Sequence, residues 1–413
     1  MLHFFSLKYW SFFVIFTLIW GAYLGYIGLP YFMISVPIMF GSIYILGLSF
    51  KYYIKYYRTC NIVTFSILFV LSYIIATIIK ISFISAQFDF LRKILWIIGA
   101  ISSIGSLLWI SKPYYLKKTF STYIKYLPYV WIFVYMIFID GVDSSLAGNM
   151  SVAISFAFFL PKSRKWIPYF ALCIVFLFPG QRMALLRIIL SLFFYIIFKK
   201  GYLNNKITTS ILVTLILIFP YISFITAVNN IFNPFNLEEI IGKSNYGSET
   251  FEADTRTFLY EEAINSAVDN NYVLFGRTLG YGYDSPFQTG RIEKFSDTGW
   301  DNHELAQRIS EVFIVNIFTW MGVLGIIVFS LLFFTACYWA ITKSRNKYML
   351  YISLLTAIQW IFCWIENPST YITFDLILMW IFISMCFNPH WLNLDDRQFE
   401  KEMRFVFNYK LKI

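Results

Sequence analysis

Long apolar runs recur along almost the whole chain, and no other feature constrains its fold as strongly. A bilayer core of roughly 30 Å needs about 20 helical residues to cross it. Runs of that character fall near 9–28, 31–50, 61–81, 94–111, 126–140, 149–160, 166–180, 183–198, 207–227, 312–340, 348–366 and 372–388. Those at 126–140, 149–160 and 166–180 are short, as expected of little-tilted or partly re-entrant segments. Lipid offers backbone groups no hydrogen-bond partner, so spans of this kind must be helical. The expected architecture is an all-α polytopic membrane protein with about twelve transmembrane helices. Composition agrees: 59% of residues are hydrophobic and 14% charged, where a soluble domain carries roughly 25% charged residues. Tyr and Trp crowd run ends, as at Tyr52–Tyr53, Tyr56–Tyr57 and Tyr114–Tyr115, which suits an interfacial aromatic belt. No cleavable signal is expected, because the first run has spanning length and no small-residue cleavage site follows it.

Lys and Arg set the orientation. With both termini cytoplasmic, the inner segments hold 22 of the 33 basic residues. Every even-numbered connection is basic and every odd one nearly free of bases, as the positive-inside rule demands. The chain therefore divides into spans 1–9 over 1–227, a large external loop over 228–311, spans 10–12 over 312–388, and a basic cytoplasmic tail over 389–413. The loop differs in kind, with 14 acidic and 6 basic residues, a net of −8. A polar connection of that length between packed helices is usually functional. The chain's net +10 is thus topological. It implies attraction to anionic membrane lipid at the inner face and no nucleic-acid partner. Cys60 sits at an inner edge, Cys173, Cys337, Cys363 and Cys386 lie in apolar runs, and the loop has no cysteine, so no disulfide is expected there. His3, His303 and His390 are far apart, and no cluster has metal-ligand spacing. Neither a metal nor a cofactor is expected.

Three constellations fall on the outer side. The first is Phe178-Pro179-Gly180-Gln181-Arg182-Met183-Ala184-Leu185-Leu186-Arg187. Arg182 opens the eighth span, where it can also snorkel to lipid head groups. Arg187 lies a turn or more deeper, where an arginine normally faces a cavity or a partner. The second begins at Asp254-Thr255-Arg256, with Asp254 or Thr255 as N-cap and Leu259, Ala263, Ile264 and Ala267 as an apolar stripe. Arg256 and a helix start together can hold phosphate. Gly276-Arg277-Thr278-Leu279-Gly280-Tyr281-Gly282 follows; taken alone, it reads as a plain surface turn. The third is Asp301-Asn302-His303-Glu304, leading into span 10. There His303, Gln307, Ser310 and Glu311 would share one helical face, and Glu304 and Arg308 would pair at i,i+4. A solvated helix start with an idle histidine is the plainer reading of that segment.

Taken together, the three constellations resemble the O-antigen ligase/polymerase superfamily. The shared features are a Gln/Ser-Arg-x-Ala-Leu helix start, an Arg-led amphipathic segment ending in spaced glycines, and a His a few residues before a helix with Gly-x-x-Gly. The motifs match over 178–187, 254–282 and 301–325, and the arrangement of spans and late external loop over most of the chain. Gln181 stands where Ser is commoner, and Glu304 where Asn is usual.

The resemblance implies a GT-C-like helical enzyme of the cell inner membrane, with amphipathic helices in its external loop. Such an enzyme transfers a glycan from undecaprenyl diphosphate to a sugar hydroxyl. Arg182, Arg256 and Arg277 would hold the diphosphate, since guanidinium binds such groups bidentately and stays charged. His303 would be the base, with its unperturbed pKa near 6.5, or Glu304 would serve instead. The polymerase extends a lipid-linked repeat, with a chain-length regulator protein as a further partner. The alternatives are a ligase that caps lipid A–core and, from another class, a lipid-linked glycan flippase or polysaccharide exporter.

Overall fold

The computed structural model describes residues 10–11, 14–15, 61–82, 97–98, 100–137, 151–170, 182–228, 257–285, 307–308, 310, 312–366 and 374–408. All but four residues of the expected span near 9–28, the whole of that near 31–50, Arg256, His303 and Glu304 lie outside them, as does the side chain of Arg182.

Helix dominates. In chain order the helices are α1 (Asn61–Ser82), α2 (Pro113–Ile137), α3 (Arg182–Lys199), α4 (Lys206–Val228), α5 (Thr257–Asp269), α6 (Phe313–Lys343), α7 (Lys347–Cys363), α8 (Phe374–Phe387), α9 (Pro389–Asn393) and α10 (Asp396–Phe407). Short 3-10 turns occupy Ser103–Leu108, Lys162–Arg164 and Tyr202–Asn204. Among the described residues three helical stretches are long and apolar enough to cross a membrane: Ile62–Lys80, Lys206–Thr226 and Phe313–Lys343. Shorter apolar helices, Lys347–Cys363 and Phe374–Phe387, stand beside them. The chain is a mostly helical membrane protein.

The core lies where α6, α7 and α8 meet, with α4 packed on α7 and α1 on α6. Its centre is aromatic and dry. Trp320, Trp360 and Trp380 are fully covered, and the indole of Trp380 donates to the Ser103 hydroxyl at 2.6 Å. Away from the core, α1 and α4 expose Ile75, Ile78, Ile79, Ile211, Leu215 and Ile222. Apolar side chains turned outward along a whole helix are what a lipid-facing surface requires.

Four expectations change. First, the link expected over 112–125 is helical and continuous with the following run, giving the single helix α2 with Pro128 inside it. Second, span 10 is not one helix: Gly322 has φ 65° and ψ −162°, which breaks α6 in its N-terminal third. Third, the segment before span 10 is not helical as far as Gln307. Gln307–Arg308 form a strand, β2, paired antiparallel with β1 (Tyr283–Asp284). The helical face joining Gln307 to Ser310, and the i,i+4 pairing of Arg308, therefore do not form. Helix begins only at Phe313, because the Asn316 side chain accepts from the Ser310 backbone at 2.8 Å and donates to its carbonyl at 2.8 Å. These bonds hold that backbone extended.

Fourth, the basic tail is folded. An Asp395–Gln398 capping box starts α10, whose Phe399, Met403, Val406 and Phe407 are buried. It lies along α2, where Phe407 stacks on Phe120 with centroids 4.6 Å apart. Lys117 buries its stem and holds its ammonium 3.4 Å above the Phe405 ring. Just before α10, the Asn346 amide clasps the carbonyls of Trp391 and Leu394 at 3.0 and 2.9 Å.

Candidate functional site

Arg182 is the first residue of α3, and Arg187 follows one and a half turns in. The structure gives Arg187 partners. Its guanidinium donates to the Asp375 carboxylate of α8 at 2.8 Å and to the carboxylate of Glu366, just past α7. The Phe362 ring lies 4.8 Å from its central carbon. Only 7% of Arg187 is exposed, and its Nε has no partner. A cavity of about 20 Å³ opens beside it, lined among others by Ser155, Ser191, Gln359 and Asp375. That is room for one water molecule. An unpaired arginine here would be costly, so the two carboxylates explain its depth.

Glu366 joins further elements. Its carbonyl accepts from the Phe313 backbone at 3.0 Å, which fixes the start of α6. Two residues earlier, the Trp364 carbonyl accepts from the Tyr260 hydroxyl of α5 at 2.6 Å, and the two rings stack with centroids 6.4 Å apart. Tyr260 also packs on Phe224 of α4. Helix α5 is thus seated on the C-terminal end of α7, beside the Arg187 cluster. Its apolar stripe explains the seating: Leu259, Ala263 and Ala267 are buried as the 3.6-residue period expects.

The glycine segment after α5 is no plain surface turn. Gly276 (φ 72°) and Gly322 (φ 65°) meet back to back across the α6 break. A Cβ on Gly276 would lie 2.4 Å from the Trp320 carbonyl carbon, and one on Gly322 would lie 2.2 Å from the Leu274 oxygen. Backbone bonds then lock the segment into the gap. Arg277 N–H donates to the Thr319 carbonyl at 2.7 Å, and Thr278 N–H to that of Trp320 at 3.1 Å. Val323 N–H donates to the Val273 carbonyl at 2.9 Å. These bonds satisfy the groups that the break releases.

Arg277 itself is engaged. Its guanidinium grips both oxygens of Asp284, the NH1 bond being 2.8 Å, and its central carbon lies 4.6 Å from the Tyr272 ring. Asp284 further accepts from Ser266 at 3.2 Å and from Asn270 at 2.9 Å. The Arg277 hydrogen bond holds the Asp284 carboxyl below the usual carboxylate range. Arg277 is therefore first a fastening of the loop, since a diphosphate would have to displace a bidentate carboxylate. Lys80, in the last turn of α1, donates to the Arg277 carbonyl at 3.1 Å and lies 4.0 Å from the Tyr281 ring centroid.

Sequence reasoning missed Glu366 and Asp375. The available signal was their place at the outer ends of spans 11 and 12, level with an arginine that needed counter-charge. No family model matches this chain, and no curated protein and no solved structure matches it.

Proposed function

We propose that this chain is a lipid-linked glycan polymerase with about twelve spans, acting at the outer face of the inner membrane. The observation that carries the reading is the junction at Trp364–Glu366, where α5 and α3 are tied to the same end of α7. Arg182 lies five residues before Arg187, about 7.5 Å along α3. Arg256 lies four residues before Tyr260 in the sequence. Arg182 at the start of α3 and Arg256, one residue before Thr257 in the sequence, would supply two guanidinium groups to one diphosphate, with Arg277 fastening the loop behind them.

In the reaction, the acceptor sugar oxygen attacks the anomeric carbon of the donor. The carbon–oxygen bond to the diphosphate breaks, and the acceptor proton passes to His303 or Glu304. The arginines stabilise charge on the leaving diphosphate, and no other group is needed to drive its departure.

Purified protein in liposomes with undecaprenyl-diphosphate-linked repeat units tests this. Arg182→Ala and Arg256→Ala are each expected to lower turnover by ~10²–10³-fold. Arg182→Lys is also expected to fail, since an ammonium lacks the bidentate fork. His303→Ala is expected to lower turnover by ~10²–10⁴-fold if His303 is the base; a dead Glu304→Gln beside an active His303→Ala would assign the base to Glu304. Wild-type rates in both arginine-to-alanine variants would overturn the reading. In cells, single repeats left on the core after deletion mean polymerase, whereas unattached lipid-linked polymer means ligase. One observation favours a carrier instead: a broken span at Gly322, a device of transporters. Movement of lipid-linked glycan across liposomes without polymer formation would establish that alternative.

A further inference from the structure

From the geometry of Tyr272–Leu279 we infer that the turn after α5 is a re-entrant wedge whose tip, Val273-Leu274-Phe275, sits among the acyl chains of the outer leaflet. Three observations carry this. The first is depth. Phe275 and Leu279 are bonded to α1 at Tyr73 and Thr77, by Tyr73 Oη to the Phe275 carbonyl at 2.9 Å and by Leu279 N–H to Thr77 Oγ1 at 3.0 Å. Counted from Asn61 at the inner end of α1, Tyr73 and Thr77 lie about 18 and 24 Å along the helix. Both measures fall short of the roughly 30 Å of hydrocarbon.

The second observation is backbone satisfaction. Four successive carbonyls, Tyr272 to Phe275, accept from Gly276, Val323, Leu324 and Tyr73. Four successive N–H groups, Gly276 to Leu279, donate to Tyr272, Thr319, Trp320 and Thr77. These bonds close the flanks of the turn, as non-helical backbone at membrane depth requires, whereas the N–H groups of Val273, Leu274 and Phe275 bond to no described residue, which keeps the tip in the outer part of the leaflet within reach of head-group water. The third is the side chains. Val273, Leu274 and Phe275 are 38, 52 and 61% exposed, beside Ile75, Ile78 and Ile79 of α1, which are 54–57% exposed. The tip continues the lipid-facing surface of α1, and Lys80 with Tyr281 stands at its upper edge, where head groups lie.

The test places single cysteines at Phe275 and Leu274, with Asp269 as the water-facing control, in a variant whose five native cysteines are replaced. Each protein is labelled with an environment-sensitive fluorophore and reconstituted in phosphatidylcholine vesicles. Spin-labelled lipid is expected to quench the 275 and 274 labels at least about twofold more than the 269 label, and aqueous iodide to do the reverse. Iodide quenching at 275 and 274 equal to that at 269 would overturn the wedge. Protection from both quenchers would also overturn it, since another protein surface such as a second copy would then cover the tip. Both side chains are exposed, so the substitutions do not disturb the core, and a monodisperse elution profile checks this. The measurement needs no turnover, so its outcome is independent of the glycan-transfer reading.

Discussion

Arg187 shows how one residue's depth dictates its surroundings. Two carboxylates from other elements meet its guanidinium, and removing that guanidinium leaves both of them buried at 14 and 12% side-chain exposure. Arg187→Ala is therefore expected to cost about 3–5 kcal/mol, read as a lower melting temperature in detergent. Arg187→Met with Glu366→Gln and Asp375→Asn should recover much of that loss, because the isosteric neutral set buries no charge. Arg277–Asp284 behaves differently, being half in water. A carboxyl held below its ordinary range stabilises the fold above that range, and the contribution disappears as pH falls through its folded-state value. Protease cleavage between 270 and 285 is expected to rise as pH drops from about 5 to 3. Asp284→Asn should be cleaved readily throughout and lose the pH dependence; an unchanged wild-type profile across that range would show that the pair does not hold the loop.

At the scale of elements, what could be read from the sequence was whatever a local period encodes. The stripe Leu259–Ala263–Ala267 predicted α5 and its buried face, and the apolar runs predicted α1, α4, α7 and α8 within a few residues. Arg187's need for a partner was also legible, although its partners lie about 180 residues away. The break in α6 was not legible, because Gly322 sits in an apolar run that is helical on both sides. What makes Gly322 non-helical is Leu274, 48 residues earlier and across the gap. The strand at Gln307–Arg308 was missed for the same reason, since Tyr283–Asp284 pairs with it from beyond the window of any helical period. Gly322→Ala therefore tests the break. It combines an unfavourable φ, which costs on the order of 1–3 kcal/mol, with a backbone clash at 2.2 Å. The expected result is a lower melting temperature and a turn at 272–279 that proteases can reach. A variant melting like the parent would mean that the loop does not depend on the back-to-back glycines.

For the whole molecule, the proposed topology makes a prediction of sidedness. A phosphatase reporter fused after Asp269 should be active outside the membrane, and one fused after Arg345 inactive, while a fluorescent protein at Ile413 should glow in the cytoplasm. Reversed signals would overturn the proposed orientation. The packing of α10 along α2 has a temporal side as well. The residues of α10 are made about 280 positions after those of α2, and at 5–20 residues per second that is a delay of roughly 15–55 s. Throughout that interval the ribosome is still threading later spans into the bilayer while the greasy flank of α2 has no permanent cover.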